Sequence, residues 1–180
     1  MAAIDLQGVV QLLADKRPVF DRERDFQFAF SQALVEFDLW LEVRLEVPRR
    51  LDDGRREVTD ILVKGPTGTC AIGLKYPTLY WLEETNGELF QLANHSANDL
   101  GRMHFVTDVT RLERLALSQG TPGWALFPTN DPRYWESSGG RVTNDAQFRI
   151  YQGRELSGTL RRGNGHESCT TLLRGSYRVT

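Results

Sequence analysis

The sequence predicts an α/β fold around a mixed central sheet, and three observations carry that prediction. Apolar residues recur with a helical period near the start of the chain. Short alternating apolar runs then follow, separated by tight polar turns. A long polar stretch of helical period leads to one more apolar run and a Gly-rich, β-like tail.

Residues 4–16 carry apolar side chains at 6, 9, 10, 12 and 13, a helical period that Pro18 ends. Asp21 is expected to cap a second helix, RERDFQFAFSQALVEF, in which Phe26, Phe30, Ala33 and Phe37 share a face. LEVRLEV (41–47) alternates as a strand and is closed by Pro48. RRLDDGRR is a polar turn with Asp53-Gly54 at its tip, and strands follow at about 56–64 and 69–75. The short connection between those two makes the arm antiparallel. KYPTLYWLEETNGELF reads as a loop. LFQLANHSANDLGRMHFVTDVTRLERLALSQG reads as a helix with a break near Asn98, stopped by Gly120 and Pro122. GWALFPTNDPRYW reads as a buried strand that runs into a polar loop or short helix. In the last third, strands are expected near 147–151 and 171–178. No repeat or linker interrupts the chain. A single domain over 1–180 is expected, with a core at about 20–135 and a β-rich C-terminal extension at about 140–180.

Bulk composition narrows the function classes. With 40% hydrophobic and 26% charged residues, the chain reads as a soluble globular protein. Its net charge of -2 supplies no overall basic field, so any nucleic-acid binding must come from local patches. Two cysteines, Cys70 and Cys169, are too few for a disulfide framework or a cysteine zinc site and read as reduced and structural. The first residues lack a signal-peptide pattern, and no apolar run is long enough to span a bilayer. The cytoplasm is therefore the expected compartment, with no membrane partner.

The chemistry concentrates in TDILVKGPTGTCAIGLKYPT (59–78). Strand side chains alternate, so Gly73 and Lys75 point the same way. Asp60 on the neighbouring strand can bring its carboxylate toward that ammonium. A carboxylate pair beside a lysine suits metal-assisted phosphodiester cleavage, because hard oxygen ligands hold Mg²⁺ and a lysine offsets transition-state charge. Here Asp60 supplies one carboxylate and Gly73 supplies no side chain. By periodicity alone, an exposed Asp–Lys ion pair worth little explains the same residues.

Six segments in order, DRERDFQFAF, VRLEV, TDILVKG, AIGLKY, NDLGRMHFVTDVTRLERL and GWALFPTNDPRYW, together with FRIYQGRELSGTL and LRGSYRV, resemble a bacterial group of small PD-(D/E)XK nuclease-like proteins. The resemblance covers roughly residues 20–180 and implies a restriction-endonuclease-like core: a mixed central sheet flanked by helices, plus the β-rich C-terminal segment. It further implies an Mg²⁺- or Mn²⁺-dependent endonuclease acting on nucleic acid, DNA first. Asp60 falls on the motif's metal-binding aspartate and Lys75 on its lysine. Glu23 falls on the acid near the start of the first core helix, a second metal ligand, and Gln27 lies four residues on with a supporting polar role. The usual Glu of the motif falls on Gly73, which implies weaker Mg²⁺ affinity or none. Three explanations of Gly73 stay open: a disabling substitution, a natural degenerate member that binds nucleic acid, or another acid such as Glu46 or Glu88 reaching the site. A homodimer fits the need to cut both strands.

His95, His104 and His166 lack metal-ligand spacing, and Ser96 and Ser168 lack a nucleophile elbow. GPTGTC is not a P-loop. Asp99, Arg102, Asp108, Arg111 and Arg114 read either as a salt-bridged helix face or, for Arg102, as a phosphate contact in the cleft. Tyr134 and Trp135 read as core or cleft wall, or as a base-stacking platform. Arg49, Arg50, Arg55 and Arg56 form either a solvated turn or a basic patch tracking a phosphate backbone, with Arg55 and Arg56 taken as substrate contacts. The alternative to a nuclease is a catalytically dead nucleic-acid-binding or protein-interaction module on the same scaffold.

Overall fold

Helix α1 (Leu6–Lys16) starts where the Asp5 side chain accepts the Gly8 N–H at 2.9 Å, and it buries Leu6, Val9 and Leu13. The computed structural model describes residues 4–51, 54, 56–137, 139, 143–163 and 170–180. Helix α2 (Glu23–Phe37) is capped by Arg22 without a side-chain bond, not by Asp21 as predicted. Asp25 in its first turn does the capping chemistry instead. Its carboxylate accepts the Asp21 N–H at 2.9 Å and two bonds from Arg17 at 2.7 and 2.8 Å. Phe26, Phe30 and Ala33 are buried as expected, whereas Phe37 is half-exposed.

Four strands form the main sheet: β1 (Glu42–Arg50), β2 (Arg56–Gly65), β3 (Gly68–Leu74) and, beyond a crossover, β6 (Gly123–Leu126), in the order β1-β2-β3-β6. The first three are antiparallel neighbours and β6 runs parallel to β3, which makes the sheet mixed. Strand alternation divides its side chains. Ile61, Val63, Cys70 and Ile72 pack on one face against Phe26, Phe30 and Leu34. Leu62, Ala71 and Val47 pack on the other against Leu112 and Leu115 of α3 (Asn98–Gln119). Gly120, in left-handed conformation at φ 63, ends that helix as its sequence suggested.

Two expectations need correction. The segment after Lys75 is a hairpin, β4 (Trp81–Thr85) and β5 (Glu88–Leu92), and α3 begins only at Asn98. Asn86 and Gly87 take positive φ values of 55 and 79, as a two-residue mirror-type turn demands. Alternating Phe90 and Leu92 are the residues it buries. The expected strand at 147–151 is a 3₁₀ turn (Ala146–Phe148) followed by extended chain, with Phe148 and Ile150 buried. The C-terminal strands are β7 (Glu155–Arg161) and β8 (Thr170–Arg178), an antiparallel pair bulged next to Gly158. Between β6 and the 3₁₀ turn, Asp131 caps the short helix α4 (Pro132–Trp135). A second core joins α3 to this C-terminal pair through Phe105, Val109, Tyr134, Phe148, Leu156 and Leu173. Among the described residues, no helix is long and apolar enough to cross a membrane.

Candidate active site

The site forms where β2 and β3 part. Their ladder pairs Ile61 with Ile72 and goes no further. Asp60 then turns its carboxylate across the gap, and Oδ2 accepts the Leu74 N–H at 2.7 Å. Beyond it, the backbone N–H of Lys75 bonds Leu126 O at 3.0 Å and that of Tyr76 bonds Glu23 Oε2 at 3.0 Å. The edge of β3 is thus tied to β6 and to the first turn of α2. Period-two alternation puts Asp60 on the face of Leu62, and Gly73 and Lys75 on the face of Ala71, so all three look toward α3. From α3, Asp108 looks back at them. It precedes Leu112 by one turn and Leu115 by two on the helix stripe that covers the sheet.

Charge is balanced locally. Lys75 Nζ lies 3.3 Å from Asp108 Oδ2 and 4.0 Å from Glu23 Oε1. Asp108 Oδ1 takes a 2.7 Å bond from Arg111, whose side chain is half-exposed. Asp108 itself is only 6% exposed. Burial pushes the Asp60 carboxyl above its ordinary value. The Leu74 N–H and Lys75 pull it down, while the charges of Asp108 and Glu23 push it up again. For Lys75, burial alone would lower the pKa, but Asp108 and Glu23 more than offset it and hold the ammonium above its usual range. Lys75 is therefore a permanent cation at neutral pH.

A cavity of about 40 Å³ lies beside these groups, with Asp60, Gly73, Asp108, Arg111 and Leu112 in its wall. A Cβ on Gly73 would stand 3.5 Å from Leu112 Cδ1, 3.8 Å from Asp108 Cβ and 3.9 Å from Asp60 Oδ2, all ordinary contacts. The position thus accepts a Cβ, which would stand among Leu112, Asp108 and Asp60.

Gln27 is buried. Its amide nitrogen donates to Asp60 O at 2.7 Å and to Glu46 Oε1 at 2.8 Å, pinning α2 to both strands. Glu46 has φ 50, a left-handed conformation costly for a residue with a side chain, at about 1–3 kcal/mol. It sits at the break in the β1–β2 register opposite Asp60. The acid proposed from elsewhere thus meets the site through Gln27. Glu88 stands exposed at the turn of the β4–β5 hairpin.

The remaining candidates lie apart from this cluster. Arg102 is not a cleft residue: it is 3% exposed, ion-paired with Asp145, bonded to Arg133 O and stacked over Tyr134 at 5.1 Å. One terminal nitrogen bonds Asp145 and the other Arg133 O, and burial in the second core leaves no face for a phosphate. Tyr134 is 2% exposed with its ring edge-on to Phe127, so it is core and not a stacking platform. Arg56 is exposed and lies directly opposite Arg50. His95 Nδ1 is bonded by the Thr78 N–H at 3.0 Å in the loop before α3. Cys70 is buried and free, its thiol pushed up to about 11 by burial. Arg55, His166, Ser168 and Cys169 lie outside the described residues. Sequence reasoning missed Asp108 by grouping it with the surface charges of α3. Its spacing to Leu112 and Leu115 was the available signal.

The donor set fits a hard divalent cation of low protein coordination. Asp108 Oδ2 is buried with no aligned hydrogen-bond donor, and Gly73 leaves room next to it. No group of three or more His, Cys, Asp or Glu side chains able to hold a metal occurs among the described residues, so one or two carboxylates would share the ion with solvent and phosphate, as Mg²⁺ accepts. Compared with family models, curated proteins and solved structures, the chain matches none.

Proposed function

We propose that this chain is a divalent-cation-dependent phosphodiesterase acting on nucleic acid, DNA in the first instance, on a restriction-endonuclease-like core. The observation that supports the reading is that the Asp60 carboxylate and the Lys75 ammonium lie near enough to act on each other's charge where β2 and β3 separate, with Asp108 facing both. Asp60, with Glu23 beside Lys75, would hold the ion, which when bound supplies Lewis-acid polarisation of a phosphoryl oxygen.

The chain's own groups supply the rest. The Leu74 N–H fixes one oxygen of Asp60, and the Tyr76 N–H fixes one of Glu23. Lys75, held protonated by its neighbours, places positive charge where the pentacovalent phosphate gathers negative charge. Gln27 keeps the start of α2 in register with Asp60. Half-exposed Arg111 at the pocket wall offers a guanidinium to a phosphate. Arg50 and Arg56 face each other across β1 and β2, an arrangement that repels by itself and that a polyanion relieves.

A second reading is a binding module without catalysis, favoured by Gly73, which contributes no ligand. Incubation of plasmid, single-stranded DNA and RNA with Mn²⁺ or Mg²⁺ separates the two. Cleavage that disappears in Asp60→Asn and in Lys75→Ala supports the phosphodiesterase. Salt-dependent binding with every substrate left intact supports the module.

A further inference from the structure

We infer that Asp108, on α3, is a further carboxylate of the cation site, standing beside Asp60 and reaching from the helix toward the space that Gly73 leaves without a side chain. This inference rests on the phosphodiesterase reading of the Asp60 pocket and assigns that pocket a ligand which the strand motif lacks.

Geometry argues for it first. The sheet face carrying Asp60, Gly73 and Lys75 is the face α3 covers, and Asp108 stands on the covering stripe one turn before Leu112. A Cβ at Gly73 would lie 3.8 Å from the Asp108 Cβ and 3.9 Å from Asp60 Oδ2. A side chain from the helix and one from the strand would therefore serve the same spot. The cavity of about 40 Å³ is bounded by both Asp60 and Asp108.

The condition of the carboxylate argues for it next. Asp108 is 6% exposed, and its Oδ2 has no aligned donor although Lys75 Nζ lies 3.3 Å away. A buried charged oxygen held by an ion pair but by no aligned hydrogen bond keeps lone-pair capacity that a hard cation can take up. A purely structural account makes Asp108 the counter-ion of Lys75 and Arg111. That account gives Asp108 no part in metal binding and no equivalence with position 73, and on both points the two accounts separate.

The test is Mn²⁺ titration of the full chain by calorimetry, with electron paramagnetic resonance counting free Mn²⁺ and circular dichroism confirming the fold. Wild type is expected to bind one Mn²⁺. Asp108→Asn should weaken binding at least about tenfold, the lower end of what even indirect partners of a metal contribute. Gly73→Glu added to Asp108→Asn should recover most of that loss. Should Asp108→Asn fail to fold, Asp108→Glu keeps the charge but displaces the oxygens, and it must shift the affinity several-fold. Wild-type affinity in the folded Asp108 variant overturns the inference. If Asp60→Asn still loses Mn²⁺ in that case, the phosphodiesterase reading survives. Mn²⁺ binding that depends on Asp108, with no nucleic acid cut, keeps the inference and defeats that reading. No Mn²⁺ binding by wild type defeats both.

Discussion

Adding a carboxylate at position 73 should make this protein's stability depend on divalent cations. In Gly73→Glu the new side chain starts 3.8 Å from Asp108 Cβ and 3.9 Å from Asp60 Oδ2, with no left-handed backbone to oppose it. At a separation of about 5 Å and an effective dielectric near 20, each like-charge pair costs about 3 kcal/mol. Two such pairs, offset by one comparable attraction to Lys75, leave a deficit of about 3 kcal/mol. Replacing glycine inside a strand returns roughly 0.5–1 kcal/mol. A net loss of about 2–3 kcal/mol lowers the melting temperature of a chain this size by about 5–10 °C. The assay is thermal unfolding at pH 8, in chelator and then in Mn²⁺ at about 100 times its dissociation constant, where linkage restores about 2.7 kcal/mol. The variant should fall below wild type in chelator, and Mn²⁺ should raise the variant by more than it raises wild type, whose site holds one carboxylate fewer. Equal stability of variant and wild type in chelator, or a gain from Mn²⁺ no larger in the variant than in wild type, would refute the claim that these carboxylates share one space.

Two other perturbations test the frame around the site. Glu113 on α3 accepts the Arg174 and Gly175 N–H groups and the Tyr177 hydroxyl. Burial pushes its pKa up, but these bonds outweigh burial and leave it lowered, while the Tyr177 hydroxyl is pushed up to about 12. A lowered carboxyl stabilises the fold above its unfolded pKa, and that contribution is lost as pH falls through the folded value. Glu113→Gln should therefore cost about 2 kcal/mol at pH 7 and progressively less in acid, followed by urea unfolding across pH. Arg102→Ala leaves Asp145 buried beside only Arg149, at 3.7 Å, and Thr143, so about 3 kcal/mol of stability should go. The salt dependence of nucleic-acid binding should not change, which a filter-binding series would read.

The sheet and the helices packed on it were legible because their signals are local and periodic. Alternation in 56–64 and 69–75 sets the faces, and the short turn sets the antiparallel pairing. The β4–β5 hairpin carried its own signal in Asn86-Gly87, but Glu83, Glu84 and Thr85 before the turn and Glu88 after it left two short, weakly alternating strands that read as loop and helix. Asp60, Lys75 and Glu23 were expected near one another from motif order; Glu23 opens α2 and Lys75 follows β3, while Asp60 sits mid-strand where the β2–β3 ladder stops. Asp108 and Arg102 were misjudged for one shared reason. Both sit on a helix rich in charge, and which charges turn inward depends on two separate packing partners, the sheet and the C-terminal strands, that no local period reveals.

Helix α3 has a double allegiance that ties the C-terminal strands to the Asp60 pocket. Five residues apart, Asp108 enters the pocket and Glu113 grips β8. A rigid rod held at one point cannot shift at the other without cost, so the tail acts as a stop that sets how deeply the helix seats its acid against the sheet. Variation in residues 170–178 is thereby coupled to the electrostatics of a pocket built by strands far earlier in the chain.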